Sequence, residues 1–212
     1  MAQGTGPRQG FFDLWSRVYD VPLVQRLTYR PVQDAVMREL AYDAPGRVLD
    51  LGCGTGLLTS RIRDELSPPG LGGCDFSRGM LAQAARRSPD LAWVRGNAQQ
   101  LPFGDASFLV VVSTEAFHWF PDPDAAIAEI FRVLEPKGRL HVALINPRTA
   151  GLARTARLGS RLIGEPARWP TRSHMRDMLE HAGFRVEEQR AVFRLPNPVL
   201  LPCVLSTAVR PG

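Results

Sequence analysis

The sequence predicts an α/β fold, a doubly wound and mostly parallel sheet with helices on both faces and a helical cap before it. From Arg47 onward, short apolar runs alternate with amphipathic segments, the pattern of repeated strand–helix crossovers. The run Val48-Leu49-Asp50-Leu51 empties into the turn Gly52-Cys53-Gly54-Thr55-Gly56, and a helical spacing follows at Leu57, Leu58, Ile62 and Leu66. The chain has 212 residues, 44% of them hydrophobic, enough to bury one full core.

Taken in order, residues 1–10 read as a glycine-rich tail. The cap spans 11–44, where Phe12, Trp15, Tyr19, Leu23 and Leu27 recur near every fourth position and Pro31 suits the first turn of a second helix. The core, 45–146, holds strands at 47–51, 70–75, 91–95, 107–113 and 138–145, with helices at 56–66, 77–87 and 123–134. Pro136, Lys137 and Gly138 mark the exit of that last helix. A basic lid or insertion, 147–172, precedes a C-terminal part, 173–212, with a helix at 174–182 and strands at 184–194 and 200–209. Pro196, Pro198 and Pro202 weigh against the final strands, because proline donates no ladder hydrogen bond. One domain accommodates all of this.

Composition removes several function classes. No apolar run approaches the 18 or so residues of a membrane span, and the N-terminus has no apolar signal core, so a cytoplasmic location is expected. Cys53, Cys74 and Cys203 are odd in number and lack C-x-x-C spacing, which argues against a disulfide framework and against a metal site. The net charge of +5 is local: from Pro147 to Arg176 there are seven arginines (148, 154, 157, 161, 168, 172 and 176) and one carboxylate, Glu165. Such a patch speaks of a partner rather than of general basicity.

The turn after the first strand separates two ligand chemistries. A dinucleotide fingerprint is G-x-G-x-x-G, whereas here a carboxylate precedes three alternating glycines. Asp50 would repel a pyrophosphate and suits a ligand carrying an ammonium group. The segment resembles motif I of the class I S-adenosylmethionine-dependent methyltransferases. The Gly96-Asn97-Ala98-Gln99-Gln100-Leu101-Pro102-Phe103 segment resembles the G-D-A-x-x-L-P-F stretch of the same family, with Asn97 where aspartate is common. Leu134-Glu135-Pro136-Lys137-Gly138-Arg139-Leu140 resembles its turn before the fifth strand. The resemblance spans roughly residues 11 to 195 and implies a Rossmann-like sheet in the order 3-2-1-4-5-7-6 with the last strand antiparallel.

It also implies a cofactor, S-adenosyl-L-methionine, and its product S-adenosyl-L-homocysteine. Asp50, Gly52, Cys53, Gly54 and Gly56 would form the turn around it. Asp75, 25 residues after Asp50, would accept the ribose hydroxyls or simply flank the helix start at Ser77. Phe76 and Met80 would flank the adenine or pack beneath it, and Asn97 and the Ala98 N–H would meet its amino group and ring nitrogen. Thr114, at the end of the fourth strand, would border the cofactor on the side of the methyl.

Methyl transfer from a sulfonium needs collinear positioning and exclusion of water more than it needs a triad. A hydroxyl acceptor also profits from a base, and His118 is the candidate, the alternative being a packed histidine. Trp15, Tyr19, Glu115, His118 and Trp119 are the candidate acceptor-binding residues, with Phe117 expected in the core. Phe12-Asp13-Leu14-Trp15-Ser16-Arg17-Val18-Tyr19-Asp20 resembles the entry of the ubiquinone and menaquinone biosynthesis C-methyltransferases, with Trp15 in place of a small residue.

On a helix, Arg154, Arg157 and Arg161 share a face, with Leu152, Ala156, Leu158, Leu162 and Ile163 as apolar neighbours. This is either a solvated basic face or a site for an anionic partner: an acyl carrier or carboxylate, or an anionic lipid surface with the protein peripheral to the membrane. Nucleic acid is disfavoured, because lysine is almost absent, Trp169 is the one aromatic beside the arginines, and no N-P-P-Y-like motif follows the fourth strand. The expected function is methyl transfer to a small lipophilic acceptor. The alternatives are a phospholipid or carrier-bound acid at a membrane surface, and a non-catalytic S-adenosylmethionine-binding regulator.

Overall fold

The structure, a computed structural model, describes residues 25–43, 46–162, 167–194 and 202–212. A short π-helical turn, Gln25–Tyr29, runs into α1 (Arg30–Asp43), with Pro31 in its first turn. Then follow β1 (Arg47–Leu51), α2 (Leu57–Leu66), β2 (Gly70–Asp75), α3 (Arg78–Arg87), β3 (Ala92–Arg95), β4 (Phe108–Thr114), a 3₁₀ turn (Phe117–Trp119), α4 (Pro123–Val133), β5 (Leu134–Ile145), α5 (Ala150–Leu162), α6 (Arg172–His181), β6 (Arg185–Val192) and β7 (Cys203–Val209). The seven strands form one sheet in the order β3-β2-β1-β4-β5-β7-β6. Every pairing from β3 across to β5 is parallel, and β7 runs antiparallel to β5 and β6. This is the order that the motif resemblance implied.

Strand alternation explains why there are two cores. Successive strand side chains point to opposite faces. Val48, Val110 and Val112 join Val32, Val36 and Leu40 of α1 and Leu58 and Ile62 of α2 on one face. Leu49, Leu51 and Val111 join Ile127 and Ile130 of α4 and Met175 and Leu179 of α6 on the other. Ile127 and Ile130 are fully buried, worth roughly 1.5–3 kcal/mol each in removed apolar surface. The end of α1 is fastened to the sheet by Asp43, whose Oδ2 lies 2.9 Å from His141 Nε2, while His141 Nδ1 lies 3.1 Å from Thr207 Oγ1.

The structure refines the sequence expectation at the start of β5, at β7 and on the basic helix. The helix expected over 123–134 ends at Val133, and Leu134 already pairs with Phe108, four residues ahead of the expected start of β5. The prolyl stretch between is absorbed by a register irregularity at Phe108/Val110 and by Lys137 at φ 66°. Gly138 is required there, since a Cβ would stand 2.8 Å from the Glu135 carbonyl oxygen and 3.0 Å from that of Leu109. β7 is buried along its whole length, so the prolines do not interrupt it: Pro202 precedes its first residue, and Pro196 and Pro198 lie outside the described residues. The expected basic helix is present as α5, but Leu158, expected among its apolar neighbours, is 61% exposed.

Candidate active site

β1 pairs with β2 on one side and β4 on the other, so successive connections leave the sheet in opposite directions at their carboxyl ends. A crevice forms at such a switch point. The turn after β1 is built by three glycines at φ 74°, 54° and 77°, a region where a Cβ crowds the backbone. Their environments differ. A Cβ on Gly52 would meet the Ala116 Cβ at 2.2 Å and one on Gly56 the Trp93 ring at 2.5 Å, whereas one on Gly54 would meet nothing within 4 Å. Gly52 and Gly56 are therefore glycines for packing, and Gly54 presents bare backbone to open space.

The turn is tied to the end of β2. The Gly52 and Cys53 N–H groups donate to the Cys74 carbonyl at 2.7 and 3.2 Å, and the Gly54 N–H donates to Asp75 Oδ2 at 2.9 Å. Asp75 Oδ1 accepts from the Ser77 N–H at 2.8 Å, while the Ser77 hydroxyl caps α3 by accepting from the Met80 N–H at 3.2 Å. Burial raises the Asp75 pKa, opposed by the N–H groups of Ser77, Gly54 and Phe76. Each carboxylate oxygen has a second lone pair for a ribose hydroxyl. Cys53 is buried, and its thiol is pushed well above the usual range, first by burial and then by Asp75 and Asp50, which makes it inert packing.

Asp50 is 1% exposed. Its Oδ2 accepts from the Thr59 hydroxyl at 2.6 Å, and its Oδ1 is buried with no hydrogen-bond partner among the described residues. Burial pushes its pKa up to about 7, Asp75 adds to the rise, and Thr59 opposes it. A buried carboxylate with an unspent oxygen is the electrostatic complement of an ammonium group. With the bare Gly54 backbone and the paired lone pairs of Asp75, these residues fit an amino-acid-bearing nucleoside such as S-adenosylmethionine.

On the adenine side, Met80 is buried, and Phe76 is 46% exposed beneath the Arg95 guanidinium, 5.8 Å from the ring centroid. Asn97 Oδ1 already accepts from the Gln99 N–H at 3.0 Å, so an adenine amino group would share that oxygen. The buried Ala98 N–H has no partner among the described residues. The segment is clamped by α4, a support that the sequence did not disclose. Glu129 Oε2 accepts from the Leu101 N–H at 2.7 Å, and Arg132 donates to the Leu101 and Phe103 carbonyls at 3.2 and 2.9 Å.

At the exit of β4, Glu115 has φ 53° and donates its N–H to the Ala143 carbonyl at 2.8 Å. Its Oε1 lies 3.3 Å from Arg194 Nη1 and accepts from the Cys203 thiol at 3.4 Å. Burial raises the Glu115 pKa, and Arg194 and Cys203 oppose it. His118 is 7% exposed and stacks on Trp169 with ring centroids 5.4 Å apart. Burial, reinforced by the Arg194 charge, lowers its pKa to about 3. Its Nδ1 is enclosed without a partner among the described residues. Below Trp169 opens a cavity of about 790 Å³, reached by Gln99, Phe117, Arg154, Arg168 and His174.

Residues 49–142 match the methyltransferase domain family. The chain resembles that family over the stretch that holds the glycine turn, Asp50, Asp75 and the β4 exit. It is 39% identical over 141 residues to a demethylmenaquinone methyltransferase from Beutenbergia cavernae, covering 63% of this chain and 56% of that protein. It is 40% identical over 103 residues to a phthiotriol/phenolphthiotriol dimycocerosates methyltransferase from Mycobacterium ulcerans, covering 48% of this chain and 38% of that protein. The chain thus spans about half the length, or less, of these curated relatives. In fold it is similar to magnesium protoporphyrin IX methyltransferase from Synechocystis with bound S-adenosylhomocysteine, with a TM-score of 0.70, 23% identity and coverage of 95% and 94% of the two chains.

Within the matched stretch Asp50, the glycines, Asp75, Ala98 and Thr114 stand along the carboxyl ends of β1 to β4. Glu115, His118 and Trp119 stand one step further, at the β4 exit. His118, the candidate base, is buried in an environment that favours the neutral ring. A ring held neutral down to about pH 3 is a poor proton acceptor near neutrality. Phe117 is buried as expected. Trp15 and Tyr19 lie outside the described residues, as do the side chains of Arg157 and Arg161. Arg194 and Tyr29 stand beside Glu115 at the β4 exit, and sequence reasoning singled out neither. Tyr29 is within electrostatic reach of Glu115 and Arg194, and its phenol is pushed up by burial first and by Glu115 second. Neither residue carries a local signal, since each reaches the β4 exit by tertiary folding alone.

Proposed function

We propose that the chain transfers a methyl group to a small, lipophilic acceptor at the exit of β4. The observation that carries this reading is the unspent Asp50 oxygen beside the open face of Gly54, with Asp75 at the end of the neighbouring strand. S-adenosylmethionine, when bound, supplies an electrophilic methyl on a sulfonium. Asp50 balances its ammonium, Asp75 takes the ribose hydroxyls, and Ala98 with Asn97 orients the adenine. Phe76 and Met80 border the ring. Thr114 closes the crevice on the side of the acceptor, where Trp119, Trp169 and the stacked His118 exclude water. The domain's own contribution is thus charge complementarity and alignment.

The names of the similar proteins, a demethylmenaquinone methyltransferase and a phthiotriol/phenolphthiotriol dimycocerosates methyltransferase, support an apolar acceptor. The 790 Å³ cavity has room for one. A second reading, action on a lipid or carrier-bound acid by a cytoplasmic protein peripheral to a membrane, is favoured by α5, where Arg154 and Leu158 are both exposed. No described helix is long and apolar enough to cross a membrane. The test is methyl transfer from labelled S-adenosylmethionine to a panel of phenols and quinols, phospholipid vesicles and acyl carrier thioesters, followed by mass spectrometry. Transfer to the apolar phenols supports the first reading. Transfer confined to vesicles or thioesters, with salt-sensitive vesicle sedimentation, supports the second, and transfer to none contradicts both.

A further inference from the structure

The cavity below Trp169 carries opposite charges that do not neutralise one another. Phe117, Met178, Ala153 and the Trp169 ring give it an apolar lining. Two sets of exposed charges border that lining. Arg154 of α5 and Arg168 form the cationic set, with His174 of α6 beside them. Asp122 and Asp124, at the start of α4, form the anionic set. Among the described residues neither arginine side chain is paired with a carboxylate, and neither carboxylate meets a cation; Asp122 Oδ1 accepts only the Ala125 N–H, at 3.1 Å. Elsewhere on this surface arginines do find partners, as Arg132 does in Asp105 and Glu129, so the unpaired state of these two is local to the cavity.

The charged residues are also anchored at their backbones. The Arg168 N–H donates to the His118 carbonyl at 2.8 Å, Trp169 stacks on His118, and the buried Asn146, just past β5, donates its Nδ2 to the Pro170 carbonyl at 2.8 Å. Asp122 is held as the N-cap of α4. Groups positioned before a ligand arrives favour it at lower ordering cost. The cavity adjoins the cofactor crevice as well, because Gln99 follows the Asn97-Ala98 segment and Phe117 follows the β4 exit.

We propose that this cavity binds a bipolar acceptor, an apolar molecule with an oxyanion at one end and an ammonium at the other. The proposal rests on the methyltransferase reading and names the charge pattern of its acceptor. The oxyanion lies against Arg154 and Arg168, the ammonium against Asp122 and Asp124, and the apolar body against Phe117, Trp169 and Met178. A neutral lipophile would strip water from both sets of charges and return nothing to either, and a simple anion would answer only the arginines. Complementary charges at both ends fix orientation and give selectivity more than raw affinity.

The probe is 8-aminooctanoic acid, compared with octanoic acid, octylamine and 1-octanol by calorimetry on the full chain in the presence of S-adenosylhomocysteine. The wild-type protein is expected to bind 8-aminooctanoic acid about fivefold more tightly than any of the other three, the scale of one exposed ion pair. Asp124→Asn is expected to remove that advantage over octanoic acid while leaving octanoic acid itself bound no more weakly. Arg154→Gln is expected to weaken both acids by about fivefold and to leave octylamine unchanged. If Arg154→Gln does not fold, Arg168→Gln serves, with the same pattern expected. Octanoic acid or 1-octanol binding the wild type as tightly as the bipolar probe, equal losses for all four compounds in either variant, or no binding of the bipolar probe overturns the proposal. Calorimetry with S-adenosylmethionine on the same samples is read separately, because absent cofactor binding contradicts the methyltransferase reading whatever the probe does.

Discussion

Asp50→Asn sets stability against binding in opposite directions. The carboxyl titrates near 3.8 when solvated and is pushed up to about 7 in the fold, mainly by burial. Between those values the native state holds more protons than the unfolded chain, so stability falls as pH rises through the interval. At about 1.4 kcal/mol per pH unit, the loss between pH 4 and pH 8 is on the order of 4 kcal/mol from this residue. Asparagine keeps an acceptor for the Thr59 hydroxyl and removes the ionisation. Urea unfolding of the cofactor-free protein at pH 5 and pH 8 is therefore expected to show a steep loss in the wild type. In the variant the falls contributed by Asp75 and Glu115, whose pKa values are raised by the same cause, remain, so its slope is expected to be shallower by the Asp50 share. The same variant loses the counter-charge for the ligand's ammonium, and its affinity for S-adenosylmethionine is expected to drop by roughly 1.5–3 kcal/mol, ten- to a hundredfold. Equal pH slopes in the two proteins would refute the buried-charge reasoning. Equal affinities would remove the ammonium from Asp50.

The glycines separate packing from binding: Gly54→Ala is expected to cost about 1–2 kcal/mol of backbone strain and to abolish cofactor binding, while Gly52→Ala should unfold the turn against Ala116, both read by thermal melts and calorimetry. Because the His118 pKa is lowered to about 3 from 6.5, the wild type should lose on the order of 5 kcal/mol as pH falls through that window, and His118→Gln should flatten the acid limb of the unfolding profile. Glu129→Ala frees the Leu101 N–H, and affinity for S-adenosylmethionine should fall by about 1–2 kcal/mol with little change in melting temperature.

Much of the cofactor half was legible because its chemistry is local. The three glycines, Asp50 and Asp75 are fixed by the strand ends that precede them, and the Ser77 cap follows from one hydroxyl at a helix start. Strand order was legible only through the motif resemblance, since periodicity reports which residues face a core and not which strand lies beside which. The β5 start was misplaced because a proline-containing turn was read as a break, whereas the sheet takes it up as an irregularity. The acceptor half was least legible. Glu115 was visible as a polar residue after an apolar strand, but its partner is 79 residues further on, brought in by the final hairpin. His118 was legible as a polar residue at the β4 exit, but its burial beside Trp119 and Trp169, which lowers its pKa, follows only from the fold.

Isothermal titration of the folded chain with S-adenosylmethionine tests the central claim most directly. Saturable one-site binding that is weakened roughly ten- to a hundredfold by Asp75→Asn is expected, because the variant exchanges a charged acceptor of the ribose hydroxyls for a neutral one. No measurable heat from folded wild-type protein, or an affinity untouched by the substitution, would contradict the assignment of the glycine turn and its two aspartates to this cofactor.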